Sequence, residues 1–309
     1  MVESGFSRSV TGFTGGSFSA QFVLEGCFSV ENNNMNDKNN NANGQGVMPP
    51  STLYLWRLRT LYVGYLERRI TFSAGAHTFL LGLEDDVLLE VNGETFRART
   101  LLLPAGISFS ADSQGKQIGC CFLDPLGRDY LFHQRLMQRH ESGFYSASAL
   151  QDKQLSVLTQ AYRDSLEADQ VYALLADLLF PAADTTVAGF MPDARIARII
   201  ELIRSDPAQN YSNEDLARHV GLSGARLQRV FKEATGIPIR RYRLWHRLFV
   251  TSTMMSMGSS LTDAALTAGF SDSSHLSHVF QSMLGMPPSA MLSHSRQNRV
   301  LVGAGEPGE

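Results

Sequence analysis

The chain has little cysteine and no long apolar run. Of its 309 residues only three are cysteines, and two of these, Cys120 and Cys121, are adjacent. Three thiols so placed form no disulfide framework, which is typical of a protein kept in a reducing cytosol. No segment approaches the roughly 18 consecutive apolar residues of a membrane helix. The N-terminus also lacks a basic stretch followed by an apolar one, so we expect a cytoplasmic protein with no membrane partner and no secretion signal.

The motifs of common enzyme classes are missing as well. The sequence contains no Gly-x-Ser-x-Gly elbow, no phosphate-binding loop and no dinucleotide fingerprint. A metal centre needs several clustered ligands, whereas His77 stands alone in its region, with His133 and His140 well beyond it. We therefore expect no catalytic residue, no metal ligand and no cofactor.

Charge is unevenly distributed along the chain. Residues 1–192 carry 14 Lys/Arg and 20 Asp/Glu, a net charge of −6, whereas residues 193–298 carry 12 and 8, a net charge of +4. A basic C-terminal third on an acidic body indicates a polyanion partner such as nucleic acid. Chance scatter is the alternative, since an imbalance of this size is common.

A polar leader precedes the first structured segment. Residues 1–48 are rich in asparagine and have little to bury, so we predict a disordered leader. Met35 and Met48 are alternative start sites to Met1, and a start at Met48 would remove nothing that the fold needs.

Strand signals follow the leader. Between Leu53 and Leu123 short extended runs are separated by turns, including Asn92-Gly93, a strong hairpin signal, and the turn that begins at Pro104. Turns every 8–12 residues are typical of a small β-barrel or jelly roll. We expect His77 at the barrel mouth or in a loop. Adjacent thiols on a strand point to opposite faces, so one of Cys120 and Cys121 should be buried.

Helical periodicity begins at about Asp129. Apolar residues recur at helical spacing around 154–179, where Pro181 ends the pattern, and residues 194–291 favour helices throughout. The chain is thus predicted to be an α+β protein. Its predicted parts are a β-rich domain at 49–180, a linker at 181–193, an all-α domain at 194–292 and a flexible tail at 293–309.

An internal repeat lies within the helical part. Ser212 and Asp215 match Ser260 and Asp263 at an offset of 48 residues, and each pair forms the start of a capped helix. Gly221 and Gly269 then allow a sharp turn at the same offset. At an offset of 49 come the matching apolar, glycine and proline positions: Leu227, Val230, Phe231, Gly236 and Pro238 with Leu276, Val279, Phe280, Gly285 and Pro287.

Two capped helices around a glycine turn predict a helix-turn-helix unit, here at about 212–233 and again at about 260–282. In the first unit Leu227, Val230 and Phe231 should face the core. Ala225, Arg226, Gln228, Arg229 and Lys232 should then lie on the open side of the helix. Arginine can bond guanine and glutamine can bond adenine in a major groove that admits one helix.

The stretches "LARHVGLSGARLQRVFKEATGIPIRRYRLWHRL" and "LTDAALTAGFSDSSHLSHVFQSMLGMPPSAM" resemble the DNA-binding domain of the AraC/XylS family. The resemblance covers residues 195–291, about a third of the chain. It implies two recognition helices in successive major-groove segments of double-stranded DNA. Bases would be read by Ala225, Gln228 and Arg229 in the first unit and by Ser274, His275 and His278 in the second. The full candidate DNA-binding set is Ser223, Ala225, Arg226, Gln228, Arg229, Lys232, Arg240, Arg241, Ser273, Ser274, His275, Ser277 and His278.

The second unit departs from the family pattern. His278 stands where the family usually has arginine, and residues 258–291 carry only Asp263 and Asp272 as charged groups. We therefore expect the first unit to dominate affinity. Between the units, Arg240, Arg241, Arg243 and Arg247 are candidates either for phosphate contacts or for salt bridges within the domain.

The segment "AGAHTFLLGLEDDVLLEVNGETFRARTLLLPAGISFS" loosely resembles the cupin-like effector domain of the same family. The resemblance implies a small-molecule effector inside the barrel, a homodimer through the helices around 154–179, and RNA polymerase as a further partner. The function expected is a ligand-responsive, sequence-specific transcription regulator. Two alternatives stay open: a cupin-type metalloenzyme with an accessory DNA-binding domain, and an effector-free DNA-binding dimer.

Overall fold

The structure is a computed structural model that describes residues 50–57, 59–66, 69–176, 178–180, 193–292 and 298–304. The predicted leader and nearly all of the predicted linker lie outside these residues. The strands are β1 Ser51–Trp56, β2 Arg59–Tyr65, β3 Ile70–Phe72, β4 His77–Gly82, β5 Val87–Val91, β6 Glu94–Ala98, β7 Thr100–Leu103, β8 Phe109–Asp112, β9 Gln117–Leu123, β10 Gln138–Arg139, β11 Tyr145–Ser146 and β12 Asn298–Val302. The helices are α1 Arg128–Leu136, α2 Gln151–Arg163, α3 Ala168–Leu175, α4 Ala194–Ser205, α5 Asn213–Arg218, α6 Gly224–Thr235, α7 Ile239–Ser256, α8 Leu261–Thr267, α9 Ser273–Leu284 and α10 Pro288–Leu292.

The strands form two sheets that pack as a sandwich. The larger sheet has the order β10-β11-β7-β4-β9-β2-β1-β12, and the smaller has the order β3-β8-β5-β6. All neighbouring strands are antiparallel except β12, which runs parallel to β1. Strands at the start and helices at the end confirm the predicted α+β class, with the sheet-rich part in the form of two facing sheets.

Local signals in the sequence account for the turns and the faces of the strands. Asn92 and Gly93 both have positive φ, at 53° and 80°, and join β5 to β6 as a tight hairpin. Cys120 lies in the core between the two sheets, and Cys121 lies in the core on the opposite face of the larger sheet. The prediction that adjacent thiols point apart is confirmed, and both are buried and free.

The outer face of the larger sheet is covered by α2 and α3. Leu155 and Leu158 of α2, and Val171 and Leu175 of α3, pack with the aromatic side chains of β1 in one apolar cluster. The sequence placed Leu174 on the same apolar stripe, but its side chain is 43% exposed. The helix ends at Leu175, before the predicted stop at Pro181.

Two buried polar side chains brace the N-terminal domain. His77 is not at a barrel mouth or in a loop: it is a buried residue of β4 whose Nδ1 accepts a hydrogen bond from the Ala105 amide at 3.0 Å. Its ring stacks on Tyr130, and burial lowers its pKa to about 3, which keeps the imidazole neutral. Arg59 forms a bidentate ion pair with Asp129, whose side chain is 3% exposed.

The helical part has two cores rather than one. Ile196, Leu227 and Phe231 belong to a cluster formed mainly by the first helix-turn-helix unit. Leu276 and Phe280 of the second unit belong instead to the core between the two sheets. Two parts that the sequence separated as domains therefore share one apolar core.

Part of the predicted flexible tail at 293–309 is ordered, which contradicts that prediction for this part, while residues 293–297 and 305–309 lie outside the described residues. Residues 298–302 form strand β12, which pairs with β1 from Ser51↔Asn298 to Leu55↔Val302. The physical reason is that the segment "NRVLV" has β-branched and apolar side chains and finds the open edge of a sheet. No helix within the described ranges is long and apolar enough to cross a membrane.

Candidate nucleic-acid interface

The first helix-turn-helix unit forms as its local sequence predicts. The Ser212 hydroxyl accepts from the Asp215 amide, and the Asp215 side chain accepts from the Ser212 amide, which is a complete capping box at the start of α5. Gly221 has a φ of 65°, a conformation that favours glycine, and it turns the chain into α6. Helix α6 is capped by Ser223 and ends at Gly236, which has a φ of 78°.

Helix α6 separates an apolar face from a cationic face. Leu227 and Phe231 are fully buried against α4, and Val230 is half-buried beside them. The exposed positions carry the residues that the sequence assigned to DNA, all of them polar except Ala225: Ser223, Ala225, Arg226, Gln228, Arg229 and Lys232. Within the described ranges, the one ion pair formed from this face joins Arg229 to Glu233 at 3.7 Å, and both side chains are well exposed. Such a pair contributes about 0.3–0.5 kcal/mol, so a phosphate or a base could displace it.

The second unit repeats this frame. The Ser260 hydroxyl accepts from the Asp263 amide at 3.1 Å, and Asp272 caps α9 by accepting from the His275 amide at 2.7 Å. Gly269 has a φ of 89° and is also closely approached, since a Cβ there would lie 2.6 Å from the Cα of Ala208. This glycine therefore serves both the turn and the packing of the second unit on the loop before α5.

The exposed face of α9 has fewer side chains free to contact DNA than the exposed face of α6. Ser274 and His278 are exposed, whereas Ser273, His275 and Ser277 are half-buried. The Ser277 hydroxyl donates to the Ser273 carbonyl at 2.8 Å, and a His275 ring nitrogen bonds the Ser271 hydroxyl at 3.2 Å. Three of the five predicted DNA-binding residues of this helix are thus partly covered, and two of these three are engaged in local hydrogen bonds.

The four arginines of α7 have three different environments. Arg240 is exposed. Arg241, which the sequence assigned to DNA, turns instead toward the N-terminal domain and donates to the Ser73 carbonyl. The physical reason is its position on the face of α7 that packs on the loop before β4, where Trp245 also lies against Gly75 and Phe122.

Among the described residues, Arg243 and Arg247 form no salt bridge, which was one of the two roles predicted for them. Arg243 donates to the carbonyls of Gln209 and Tyr211 at 2.7 and 2.9 Å, and Arg247 donates to the Pro207 carbonyl at 2.8 Å. Both also donate to the Asn210 side chain. Burial lowers the pKa of Arg247 to about 10, so it stays protonated at neutral pH. These two arginines hold the loop that leads into α5, a role that sequence spacing alone does not reveal.

Comparison with known proteins agrees with this geometry. A family profile described as a helix-turn-helix domain matches residues 216–294. The chain is 22% identical over 236 residues to the Msm operon regulatory protein of Streptococcus mutans, covering 75% of this chain and 84% of that protein. It is 32% identical over 105 residues to the uncharacterised HTH-type transcriptional regulator YidL of Escherichia coli, covering 34% of this chain and 35% of that protein.

A solved structure shares the fold of both domains. Apo ToxT from Vibrio cholerae, in a single-residue variant, matches 76% of this chain and 98% of its own length with a TM-score of 0.53 at 16% identity. A sheet-rich domain followed by a pair of helix-turn-helix units defines a two-domain DNA-binding protein of the helix-turn-helix class. The matching helix-turn-helix profile and the relatives, which are named as transcriptional regulators, agree with the resemblance of this chain to AraC/XylS regulators.

Proposed function

We propose that this regulator recognises its DNA site mainly through the exposed face of α6. One observation carries the proposal: α6 buries Leu227 and Phe231 and half-buries Val230, while Arg226, Gln228, Arg229 and Lys232 remain at the surface. Arg229 and Gln228 have the chemistry to read guanine and adenine, and Arg226 and Lys232 can contact phosphates. Ala225 offers an apolar contact to a thymine methyl group, and Ser223 lies at the N-terminus of the helix, where phosphates bind well.

The second unit would contribute a weaker contact through α9. Ser274 and His278 are its exposed readers, and Ser273, His275 and Ser277 lie beside them at the rim. Its start carries the negative charge of Asp272, whose pKa is lowered chiefly by the hydrogen bond from the His275 amide. A carboxylate there opposes a nearby phosphate, which supports the lower rank of this helix. Arg240 would bind the DNA backbone between the two units.

Selection of bound fragments from genomic DNA tests the proposal. The purified chain should enrich fragments that share one motif with two parts about one helical turn apart. Binding to that motif should weaken steeply as salt rises, because each phosphate contact releases counterions. Fragments with no common motif would contradict sequence-specific recognition, and a flat salt response would contradict the phosphate contacts.

We further propose that the N-terminal domain binds a small-molecule effector and forms a homodimer. The core that it shares with the second helix-turn-helix unit supports an effector response, since a change in one part must alter the packing of the other. The dimer contact is placed by the resemblance on α2 and α3, which cover the outer face of the larger sheet, where Leu174 is exposed. A groove of about 460 Å³ lies beside α2 on the same outer face of the larger sheet. It is lined by Leu83, Leu155, Ser156, Thr159, Gln160, Arg163 and Asp164.

The remaining parts of the proposal concern location and partners. A regulator of transcription works where the DNA is, so we place it in the cytoplasm, and we include RNA polymerase among its partners.

We also propose that it has no catalytic role, in line with relatives that are named as regulators. Stoichiometric iron, zinc or manganese in the purified chain would contradict that. A small-molecule screen by thermal shift separates an effector-responsive regulator from an effector-free dimer, since a specific ligand stabilises the folded state.

A further inference from the structure

Strand β12 connects the end of the DNA-binding domain to the N-terminal domain. It pairs in parallel with β1 along its whole length and forms the edge of the larger sheet. Val300 and Val302 pack into the core between the sheets, and Leu301 packs into the core on the opposite face. A strand that contributes side chains to both faces of a sheet is a specific fit rather than an incidental contact.

The residues around the strand are anchored as well. Arg299 donates to the Ser165 carbonyl and to the Glu167 carboxylate, each at 3.0 Å. At the other end the Gly303 amide donates to the Leu55 carbonyl at 3.0 Å, and the Ala304 amide donates to the Asp169 carboxylate at 2.9 Å. We call residues 298–304 the C-terminal clasp.

Gly303 fits a site with no room for a side chain. A Cβ at this position would lie 2.6 Å from Trp56 Nε1 and 2.6 Å from the Asp169 carboxylate, with Ala168 at 2.9 Å. Contacts this short do not occur in real structures, so a larger residue must displace the end of the clasp. The neighbouring Ala304 is exposed and accepts a larger side chain without such a conflict.

The clasp begins close to the second helix-turn-helix unit. Helix α10 ends at Leu292, and β12 starts at Asn298, whose side chain donates to the Ala290 carbonyl of α10 at 3.1 Å. The position of β12 on β1 therefore limits how far the DNA-binding domain can move from the N-terminal domain.

The docked arrangement withholds a positive charge from solvent. The guanidinium of Arg241 donates to the Ser73 carbonyl, and its Nε is buried with no hydrogen-bond partner in the described structure. Among the described residues no carboxylate forms an ion pair with it. A half-buried cation with one unsatisfied N–H is unfavourable, so other contacts must keep this interface closed. The shared apolar core, the ion pair of Arg204 with Asp124 and the clasp are the contacts available for that purpose.

We propose that the C-terminal clasp is a releasable intramolecular lock. When it is seated on β1, it holds the DNA-binding domain on the N-terminal domain and keeps Arg241 turned away from DNA. When it is released, the shared apolar core and the Arg204–Asp124 pair alone hold the domains together, their contact opens more often, and Arg241 becomes available for a phosphate contact beside Arg240. The second part rests on the DNA-binding function proposed above, and the first part does not.

The first test measures release without DNA. Gly303→Val should unseat the clasp, and Ala304→Val is the matched control. Hydrogen exchange should quicken in β1 and in residues 73–75 of the first variant only. Emission of the two tryptophans should also change, since Trp56 lies against Gly303 and Trp245 lies against Gly75. Unchanged exchange and emission in Gly303→Val would overturn the proposal.

A charge exchange provides a second way to release the clasp without crowding. Arg299→Glu should quicken exchange in β1, and adding Glu167→Arg should restore the slow exchange, because the pair is re-formed with its charges reversed. A strand exchanged between two copies is the competing arrangement. A dimer of the full chain that is lost on removal of residues 298–309 would show it and would overturn an intramolecular clasp.

The second test measures affinity for the selected DNA in a double-mutant cycle. Gly303→Val should tighten binding by up to about eightfold at 0.1 M salt and steepen the salt dependence by about one unit, as expected for one added phosphate contact. Arg241→Gln should abolish this gain and change the parent less than about twofold. An equal effect of Arg241→Gln in both backgrounds would overturn the role of Arg241. If the parent and all variants fail to bind DNA while exchange still responds, the proposed function fails and the clasp stands.

Discussion

The two helix-turn-helix units share a frame but differ in their surfaces and in their neighbours. Both have a serine-capped first helix, a glycine of positive φ in the turn and a second helix that ends at a left-handed glycine. The first unit presents arginine, glutamine and lysine and packs mainly on its own core. The second presents serine and histidine and packs into the N-terminal domain.

This difference shows how a duplicated motif can divide its tasks. The buried positions of a unit are constrained by packing, so they match between the copies, whereas exposed positions are free to differ. The first copy has the side chains suited to a polyanion. The second has a larger apolar contact with the rest of the chain, including Gly285, where a Cβ would lie 3.1 Å from the Cβ of Ile70. We infer that the first unit mainly recognises DNA and the second mainly couples it to the N-terminal domain.

The largest expected effect is the loss of stability when a buried ring is removed from either core, and it distinguishes the two cores. Phe231→Ala and Phe280→Ala each remove a fully buried ring and should each lower the free energy of unfolding by about 3–5 kcal/mol. Phe231→Ala should quicken hydrogen exchange in the helices around the first core, α4 to α7, and leave β3 unchanged. Phe280→Ala should also quicken it in β3, because that ring lies in the shared core.

Leu266→Ala is the control for those two variants, because this leucine is 52% exposed and its loss should change stability by less than about 0.5 kcal/mol. Faster exchange in β3 of the Phe231→Ala variant would show that the two cores are not separate.

The next largest effect is the loss of DNA affinity when a single base-contacting side chain is removed. Arg229→Ala should weaken binding to the selected site by about 1–3 kcal/mol and relax the base preference at one position, measured by titration against the site and its single-base variants. His278→Ala should cost less. Arg198→Ala on α4 is a matched control, since it also removes one exposed charge. Equal weakening of Arg229→Ala on random DNA would make Arg229 a phosphate contact.

A smaller effect concerns the helix that joins the two units. His246 of α7 is buried, and burial lowers its pKa from 6.5 to about 3, with Arg204 adding to the shift. The unfolded chain therefore binds a proton that the folded chain excludes as pH falls below about 6.5, and stability decreases toward acid. Between pH 7.5 and 5.5 this group should account for a loss of about 1 kcal/mol.

Urea unfolding at the two pH values measures that loss. The variant His246→Phe should lose less stability on acidification than the parent, whose other buried histidines, His77 and His133, contribute in the same direction. An unchanged difference between pH 7.5 and 5.5 would contradict a neutral, buried His246.

The smallest expected effect would make the DNA affinity of the second unit more similar to that of the first. His278→Arg restores on α9 the cation that the family usually has there, and the position is exposed. Binding should tighten by at most about 1 kcal/mol, with a salt dependence steeper by about one unit. The same substitution at Ser289, an exposed position on α10, provides the control. No gain at His278 would indicate that α9 does not approach DNA.

Much of the local structure could be predicted because its causes are adjacent in sequence. The caps at Ser212 and Ser260, the turns at Gly221 and Gly269 and the hairpin at Asn92-Gly93 depend on residues a few positions apart. The resemblance to the AraC/XylS family rests on the same signals. The candidate readers on α6 were also placed correctly at the surface, although their contacts with DNA stay a prediction.

Other expectations failed where distant segments decide. Arg241, Arg243 and Arg247 looked alike in the sequence, but one meets the N-terminal domain and two hold the loop before α5. His77 seemed isolated, yet the fold brings Tyr130 and the Ala105 amide to it. Residues 298–302 looked like part of a free tail, since the strand they pair with lies at the opposite end of the chain.

By itself, the sequence determined where helices and turns begin and which face of each recognition helix is buried, because capping and side-chain periodicity act over one or two turns of chain. Only the tertiary structure decided which cations remain available to DNA and which unit is held by the N-terminal domain. Neighbouring residues on a helix point about 100° apart, so the same residue type meets solvent, a loop or another domain according to what packs there.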